Sequence, residues 1–317
     1  MRKYLLGIIS IALISSCGNK KSNDANNEDS NTLNLRYEVP KGFDIQGHRI
    51  ARGLAPENNL FAIPIALAIP ELTTLEMDLA ITKDKKVVLS HDPWMSSSIC
   101  DHPNDDRIMP FEDEKIIIYN MTYEQVREFR CGGRLNKNFM GQRLKYEKVA
   151  LLDSAIIVTK NTCEKLNRPL PQFNIEIKSD PEWDNFYSPK PAEYAQLVMD
   201  IIKKHEIEKY TIIQSFDPRS LEEVKKIDPS IRISLLGRKD GNWEKDKTSL
   251  SFVPDYYSPY FLSIDKEQVE KIKSDGVKVI PYTVNDSIKI GKMIEMGVDG
   301  IISDYPDLVA KIKKQYR

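Results

Sequence analysis

The sequence predicts a (β/α)8 TIM barrel. Three observations point there. From Asp44 onward, short apolar runs alternate with amphipathic stretches. The alternation yields eight core strands within residues 41–317, and such a barrel takes roughly 250 residues plus insertions. Polar side chains also gather at the carboxyl ends of the expected strands, where barrels place their active sites. Alternating strands and helices require parallel pairing with right-handed crossovers. A doubly wound open sheet is the alternative. It needs a glycine-rich phosphate loop after the first strand, and Gly47-His48-Arg49 is not one.

Taken in order, Asp44–His48 reads as the first strand. Asn58–Ile69 is helical in composition, with Pro64 expected to end or bend it. Leu72–Ile81 is a strand, and Lys83-Asp84-Lys85 a tight turn into Val87–His91, where Leu89 and His91 share a face. Residues 94–147 break the rhythm with Pro103, Pro110, Gly132, Gly133 and Gly141. They read as an insertion carrying one short helix, Thr122–Arg130, with Thr122 as N-cap. Leu151–Leu166 is amphipathic, and Gln172–Lys178 a strand. Helix Pro191–His205, strand Tyr210–Phe216, helix Pro218–Ile227 and strands Ile231–Leu236 and Asp255–Ser258 follow. Helix Lys266–Ser274, strand Val277–Val284, helix Asp286–Met296, strand Gly300–Ser303 and Asp307–Lys314 close the chain.

The first forty residues differ in kind. Arg2 and Lys3 precede an apolar run, Tyr4–Ile14, and then Ser15-Ser16-Cys17. This looks like a bacterial lipoprotein signal (1–16) cut before a lipidated Cys17, an ordinary secretory signal being the alternative. Residues 17–40, rich in Asn, Asp, Ser and Lys, read as a disordered tether to the 41–317 domain. The protein is therefore expected to be exported and anchored to a bacterial membrane by lipid, on the periplasmic or cell-surface side, without spanning it. A net charge of −1 offers no global field for nucleic acid or acidic lipid. Export permits one disulfide among Cys100, Cys131 and Cys163. Cys100–Cys131 is the candidate pair, since both fall in one irregular region; three buried or free thiols are the alternative. No Cys-x-x-Cys occurs, which argues against zinc.

The chemistry centres on residues 44–93. Glu76 and Asp78 lie two apart on an expected strand, so they share a face roughly 7 Å apart. A core would reject two such charges, and a hard divalent cation between them explains both. His48 and His91 flank the stretch and can move protons near neutral pH. Arg49 can grip a phosphate through two parallel hydrogen bonds. Gln214, Ser215, Thr283 and Asn285 stand at other strand ends. Glu176 and Lys178, two apart on the third strand, would alone read as a surface pair. Glu57 would alone read as a favourable charge at a helix start. Tyr256, Tyr257, Tyr260 and Phe261 wall a pocket or simply pack, and His102 and His205 are taken as non-catalytic.

Gly47-His48-Arg49, Arg52-Gly53-Leu54-Ala55-Pro56-Glu57-Asn58, Leu75-Glu76-Met77-Asp78, Thr82-Lys83-Asp84 and His91-Asp92-Pro93 appear in this order and spacing. In these pieces the chain resembles the glycerophosphodiester phosphodiesterase family. It departs from the family where Ile50 replaces a glycine after His-Arg and Asn59 replaces a threonine; Ile50 puts the local turn in question. The resemblance implies Glu176 as a third carboxylate, with Glu76 and Asp78, on one Ca2+ or Mg2+. It implies His48 and His91 as the acid–base pair and Lys178 as a phosphate contact or a tuner of the carboxylates. It gives Glu57 a supporting role near His48, and lets the insertion overhang the site. Implied substrates are deacylated phospholipid headgroups such as glycerophosphocholine, giving sn-glycerol 3-phosphate and an alcohol. A same-fold phosphodiesterase acting on lysophospholipids or inositol phosphodiesters, or a non-catalytic surface lipoprotein, are the alternatives.

Overall fold

The computed structural model describes residues 42–316; the leader, Cys17 and the tether lie outside them. The strands are β1 Asp44–Gly47, β2 Thr74–Ile81, β3 Val87–Leu89, β4 Cys100–Asp101, β5 Arg130–Cys131, β6 Gln172–Ile177, β7 Thr211–Ser215, β8 Arg232–Gly237, β9 Tyr256–Pro259, β10 Lys278–Val279 and β11 Gly300–Ser303. The helices are α1 Ala62–Leu67, α2 Tyr123–Val126, α3 Leu152–Lys165, α4 Pro191–Lys204, α5 Pro218–Ile227, α6 Trp243–Asp246, α7 Lys266–Ser274, α8 Ser287–Glu295 and α9 Pro306–Lys313.

Alternation along the strands explains the architecture. In β2, Leu75, Met77, Leu79 and Ile81 join the apolar layer shared with the helices. Thr74, Glu76 and Asp78 take the opposite face, equally buried. A strand covered on both faces belongs to a barrel stave. Among the described residues, eight parallel strands run in the order β10-β9-β8-β7-β6-β2-β1-β11. The ends meet through Asp299 N–H on the Val279 carbonyl (2.8 Å) and Ile302 N–H on the Pro281 carbonyl (3.0 Å). This is a nearly closed (β/α)8 barrel. Its interior is apolar on one side, where Ile212, Tyr256, Ile280 and Ile302 cluster. The other side is polar: Gln46, Asn174 and Gln214 are hydrogen-bonded side by side at 2.8 and 2.9 Å. The crossovers start on local signals, such as Asp217 capping α5 ahead of Pro218 and an Asp265/Gln268 capping box on α7.

Several boundaries differ from the sequence reading. β2 starts at Thr74 and not Leu72; it runs to Ile81 as expected, so Glu76 and Asp78 sit mid-strand and its last residues pair with β3. β3 runs antiparallel to β2 and stops at Leu89, so His91 lies beyond it in a bend and not on a shared strand face. The ladder turns His91 back alongside β2. α1 begins at Ala62, with Pro64 tolerated in its first turn where no helical N–H is needed. Glu57 therefore lies in a loop and not at a helix start.

Between β3 and α3 the chain builds a small unit of its own. β4 and β5 pair antiparallel, and Cys100 and Cys131 form a disulfide across them. Met95, Ile108, Ile118, Val126 and Phe129 pack beneath it, and Thr122 caps α2. Among the described residues, no helix is long and apolar enough to cross a membrane.

Candidate active site

The turn after β1 sets the first part of the site. A Cβ on Gly47 would lie 2.0 Å from the Ile50 carbonyl oxygen, so only glycine fits there. Arg49 (φ +49°) and Ile50 (φ +79°) both take left-handed backbone. That is unusual for any L-residue and a genuine outlier for a β-branched one, costing about 1–3 kcal/mol per residue. The strain is held by β2: Arg49 N–H donates to Glu76 Oε2 at 2.6 Å, and Ile50 N–H to the Glu76 carbonyl at 2.7 Å. Ile50 also buries its whole side chain, worth about 1.5–3 kcal/mol. Ile50 thus compensates by burial for a left-handed backbone that would otherwise favour glycine.

The turn points His48 at the far end of the chain. Its Nδ1 lies 2.7 Å from Asp304 Oδ1, just past β11. Asp304 also accepts from Arg52 Nε (2.9 Å) and Asn285 Nδ2 (2.6 Å). Burial lowers the His48 pKa below its ordinary value, while Asp304 partly opposes the shift. Burial works against the charge on Asp304, but the hydrogen bond from His48 and the charges of His48 and Arg52 hold its carboxyl well below the usual range. His91 Nδ1 lies 2.7 Å from Asp92 Oδ1, less deeply buried at the rim.

Both imidazoles act on an acidic cluster, each favouring the charge on Asp78. One oxygen from each of Glu76, Asp78 and Glu176 falls within 4.8 Å of the others, and all three residues are buried. β2 and β6 pair with Asp78 directly opposite Glu176, which brings the third carboxylate in. At an effective dielectric near 20, each such pair repels by roughly 3 kcal/mol. Burial and then Asp78 push Glu76 well above the ordinary carboxylate range, and burial raises Glu176 likewise. Asp78 moves the other way: burial opposes its ionisation, but Lys178, His91 and Arg49 hold it well below.

Lys178 is the partial counter-charge, 2.8 Å from Glu176 Oε1 and 3.1 Å from Asp78 Oδ1. The second contact is too poorly aligned for a hydrogen bond, so Asp78 Oδ1 stays a buried acceptor without a donor. Arg49 pairs with Glu57 at 2.6 Å and approaches Asp78 at 3.6 Å, and its buried Nε has no hydrogen-bond partner. Glu57 therefore supports Arg49 and Arg52, not His48 directly. Five carboxylates (Glu57, Glu76, Asp78, Glu176, Asp304) face three fixed cations (Arg49, Arg52, Lys178). With all five ionised, two negative charges are left over; burial and then this excess raise Glu76 and Glu176. A divalent ion matches that excess, the orphaned Asp78 oxygen and the all-oxygen donor set fit a hard cation, and no thiolate competes.

The fold agrees with a match made on sequence alone. A model of the glycerophosphoryl diester phosphodiesterase family matches residues 48–308. The chain belongs to that family. It is accordingly a phosphoric diester hydrolase. It is 29% identical over 271 residues to a glycerophosphodiester phosphodiesterase of Caldanaerobacter subterraneus subsp. tengcongensis, covering 84% of this chain and 96% of the relative. A crystal structure of a putative glycerophosphoryl diester phosphodiesterase from Silicibacter pomeroyi superposes with a TM-score of 0.76 at 25% identity, covering 87% of this chain and 95% of that one. A phosphodiesterase from Oleispira antarctica, solved with its product sn-glycerol 3-phosphate, shares the fold with a TM-score of 0.68 at 21% identity, covering 86% and 97%.

Within this family member, several site residues escaped the sequence reading. Asp304 is the chief one; the only signal was an acid directly after an apolar strand, at the end where barrel chemistry gathers. Arg52 and Asn58 stand in the motif, but the sequence alone assigns them no role. Asn58 donates to Asp78 Oδ2 at 2.9 Å, and Gln214 donates to Glu76 Oε1 at 2.8 Å, so amides hold both strand-two carboxylates. Ser215 and Tyr257 point elsewhere, Ser215 onto the Ile177 carbonyl and Tyr257 onto Asp246 and Trp243. Tyr260 and Tyr282 pack with their rings tilted, 6.1 Å between centroids. His102 pairs with Glu112 and His205 with Asp153, outside the cluster.

Proposed function

We propose that the protein hydrolyses glycerophosphodiesters to sn-glycerol 3-phosphate and an alcohol, with one Ca2+ or Mg2+ held by Glu76, Asp78 and Glu176. The observation that carries this reading is the convergence of those three buried carboxylates, with His48 and His91 both near enough to favour the charge on Asp78. When bound, the cation supplies positive charge that polarises the phosphodiester and offsets the charge growing on it. Lys178 and the free Nε of Arg49 add to that field and orient the phosphate. Burial disfavours the charged form of His48 and Asp304 fixes its ring, so His48 takes the proton as the attacking oxygen bonds to phosphorus, either from water or from a substrate hydroxyl whose cyclic phosphate water then opens. The phosphorus–oxygen bond to the alcohol then breaks. His91, at the more open rim, gives its proton to the leaving oxygen. The product complex of the Oleispira antarctica relative supports glycerol phosphate as the retained half. Export with a lipid anchor on Cys17 belongs to the same reading and would place the site outside the cytoplasm.

A coupled assay for glycerol 3-phosphate with purified protein and glycerophosphocholine or glycerophosphoethanolamine tests it. Release that needs a divalent ion and vanishes in His48→Ala supports the reading. His48→Ala with near-normal turnover overturns it.

A further inference from the structure

The insertion loop around Phe139 and residues of the barrel rim line an open cavity of about 450 Å³. Small-molecule sites fall in the range of about 300–1,000 Å³. Arg49, Arg52, Glu57 and Asp92 line it from the barrel side, and Lys137 and Asn138 from the loop. The loop is pinned on both flanks of its tip. Arg52 stacks 4.7 Å from the Phe139 ring centroid, and that ring packs 6.2 Å from Tyr305. Gln142 Nε2 donates to the carbonyls of Arg52 (2.5 Å) and Ala55 (3.2 Å).

The charges lining this cavity are unequal. Glu57 pairs with Arg49 and Arg52, and Asp92 with His91. Among the described residues, Lys137 has no carboxylate partner. Of the charged side chains lining the cavity, Lys137 alone lacks a paired counter-charge among the described residues, and it is exposed to meet a ligand. Asp92 also places the cavity beside His91, which protonates the leaving oxygen in the reaction above.

We infer that this cavity is the subsite for the leaving alcohol, and that Lys137 biases it toward alcohols carrying a carboxylate or a second phosphate over those carrying a fixed positive charge. The inference rests on the phosphodiester hydrolysis proposed above. Lys137 sets specificity and takes no part in bond breaking. A long-range charge at a partly solvated site discriminates modestly, by roughly tenfold. Rejecting a cationic headgroup requires only that repulsion.

The test measures kcat/KM of the full-length protein for glycerophosphoinositol 4-phosphate and for glycerophosphocholine. Wild type, Lys137→Gln and Lys137→Glu are compared. The wild type is expected to favour the anionic substrate. Lys137→Glu is expected to lower the anionic-to-cationic ratio about tenfold or more, with Lys137→Gln between, while glycerophosphocholine turnover holds or rises. A ratio unchanged within twofold in Lys137→Glu, in a protein that cuts either substrate, overturns the subsite alone. A wild type that cuts neither overturns the hydrolytic reading and this inference together.

Discussion

Asp304 holds the His48 ring through Nδ1 at 2.7 Å, joining residues 256 apart at the seam where the last strand meets the first. The contact fixes which nitrogen of His48 faces the acidic cluster. It also offsets part of the burial effect on the imidazole.

Asp304→Asn is therefore expected to lower kcat/KM by roughly 10²-fold or more, the scale of a general base losing its alignment. The pH profile carries a sharper signature. The His48 pKa lies below its ordinary value, so the neutral base is present above that lowered pKa and lost as pH falls through it. Asp304 raises that pKa relative to burial alone, so its loss should move the acidic limb to still lower pH. A limb that moves up, or stays, would show that His48 is not the base.

The Arg49–Ile50 turn makes a prediction about order of stability. Alanine normally outranks glycine, because glycine loses more chain entropy on folding. At Ile50, with φ +79°, the order should invert. Ile50→Ala loses the buried side chain and keeps the strain, costing about 2–5 kcal/mol. Ile50→Gly loses the same contacts but relieves the strain, and should be about 1 kcal/mol more stable than the alanine variant. Denaturant titration of the two variants checks this; alanine above glycine would mean the turn is not strained.

The Cys100–Cys131 bridge closes a loop of 31 residues, which corresponds to about 3–4 kcal/mol of chain entropy. Its loss should fall on the insertion and not on the barrel. In Cys100→Ser/Cys131→Ser, hydrogen exchange should accelerate across 94–147, while β2 and β6 stay protected. Uniform loss of protection would contradict an insertion with its own core.

Much of this was legible from the sequence, for physical reasons. The strand–helix alternation is a local pattern, and the two-residue spacing of Glu76 and Asp78 placed them on one face before any fold was known. Asp304, Arg52 and Gln214 were not legible as partners, because pairs such as His48–Asp304 and Glu76–Gln214 arise only when the barrel closes. The left-handed Ile50 was flagged as a conflict, and its resolution depended on burial and on two hydrogen bonds to Glu76. His91 was placed on the wrong local element, since antiparallel β3 ends two residues early to turn it toward β2.

The N-terminal segment yields a separate test. Cys17 is proposed to carry lipid, so labelled palmitate fed to an expressing bacterium should mark the wild type and leave Cys17→Ser unlabelled. Label in both would place the lipid elsewhere.

The most direct measurement is calorimetric titration of Mg2+ or Ca2+ into metal-stripped protein, read alongside recovery of glycerophosphodiester hydrolysis. One cation should bind per chain, activity should return over the same concentration range, and both should fail in Asp78→Asn. No binding in the wild type, or full activity with the metal chelated, would contradict the role given to Glu76, Asp78 and Glu176.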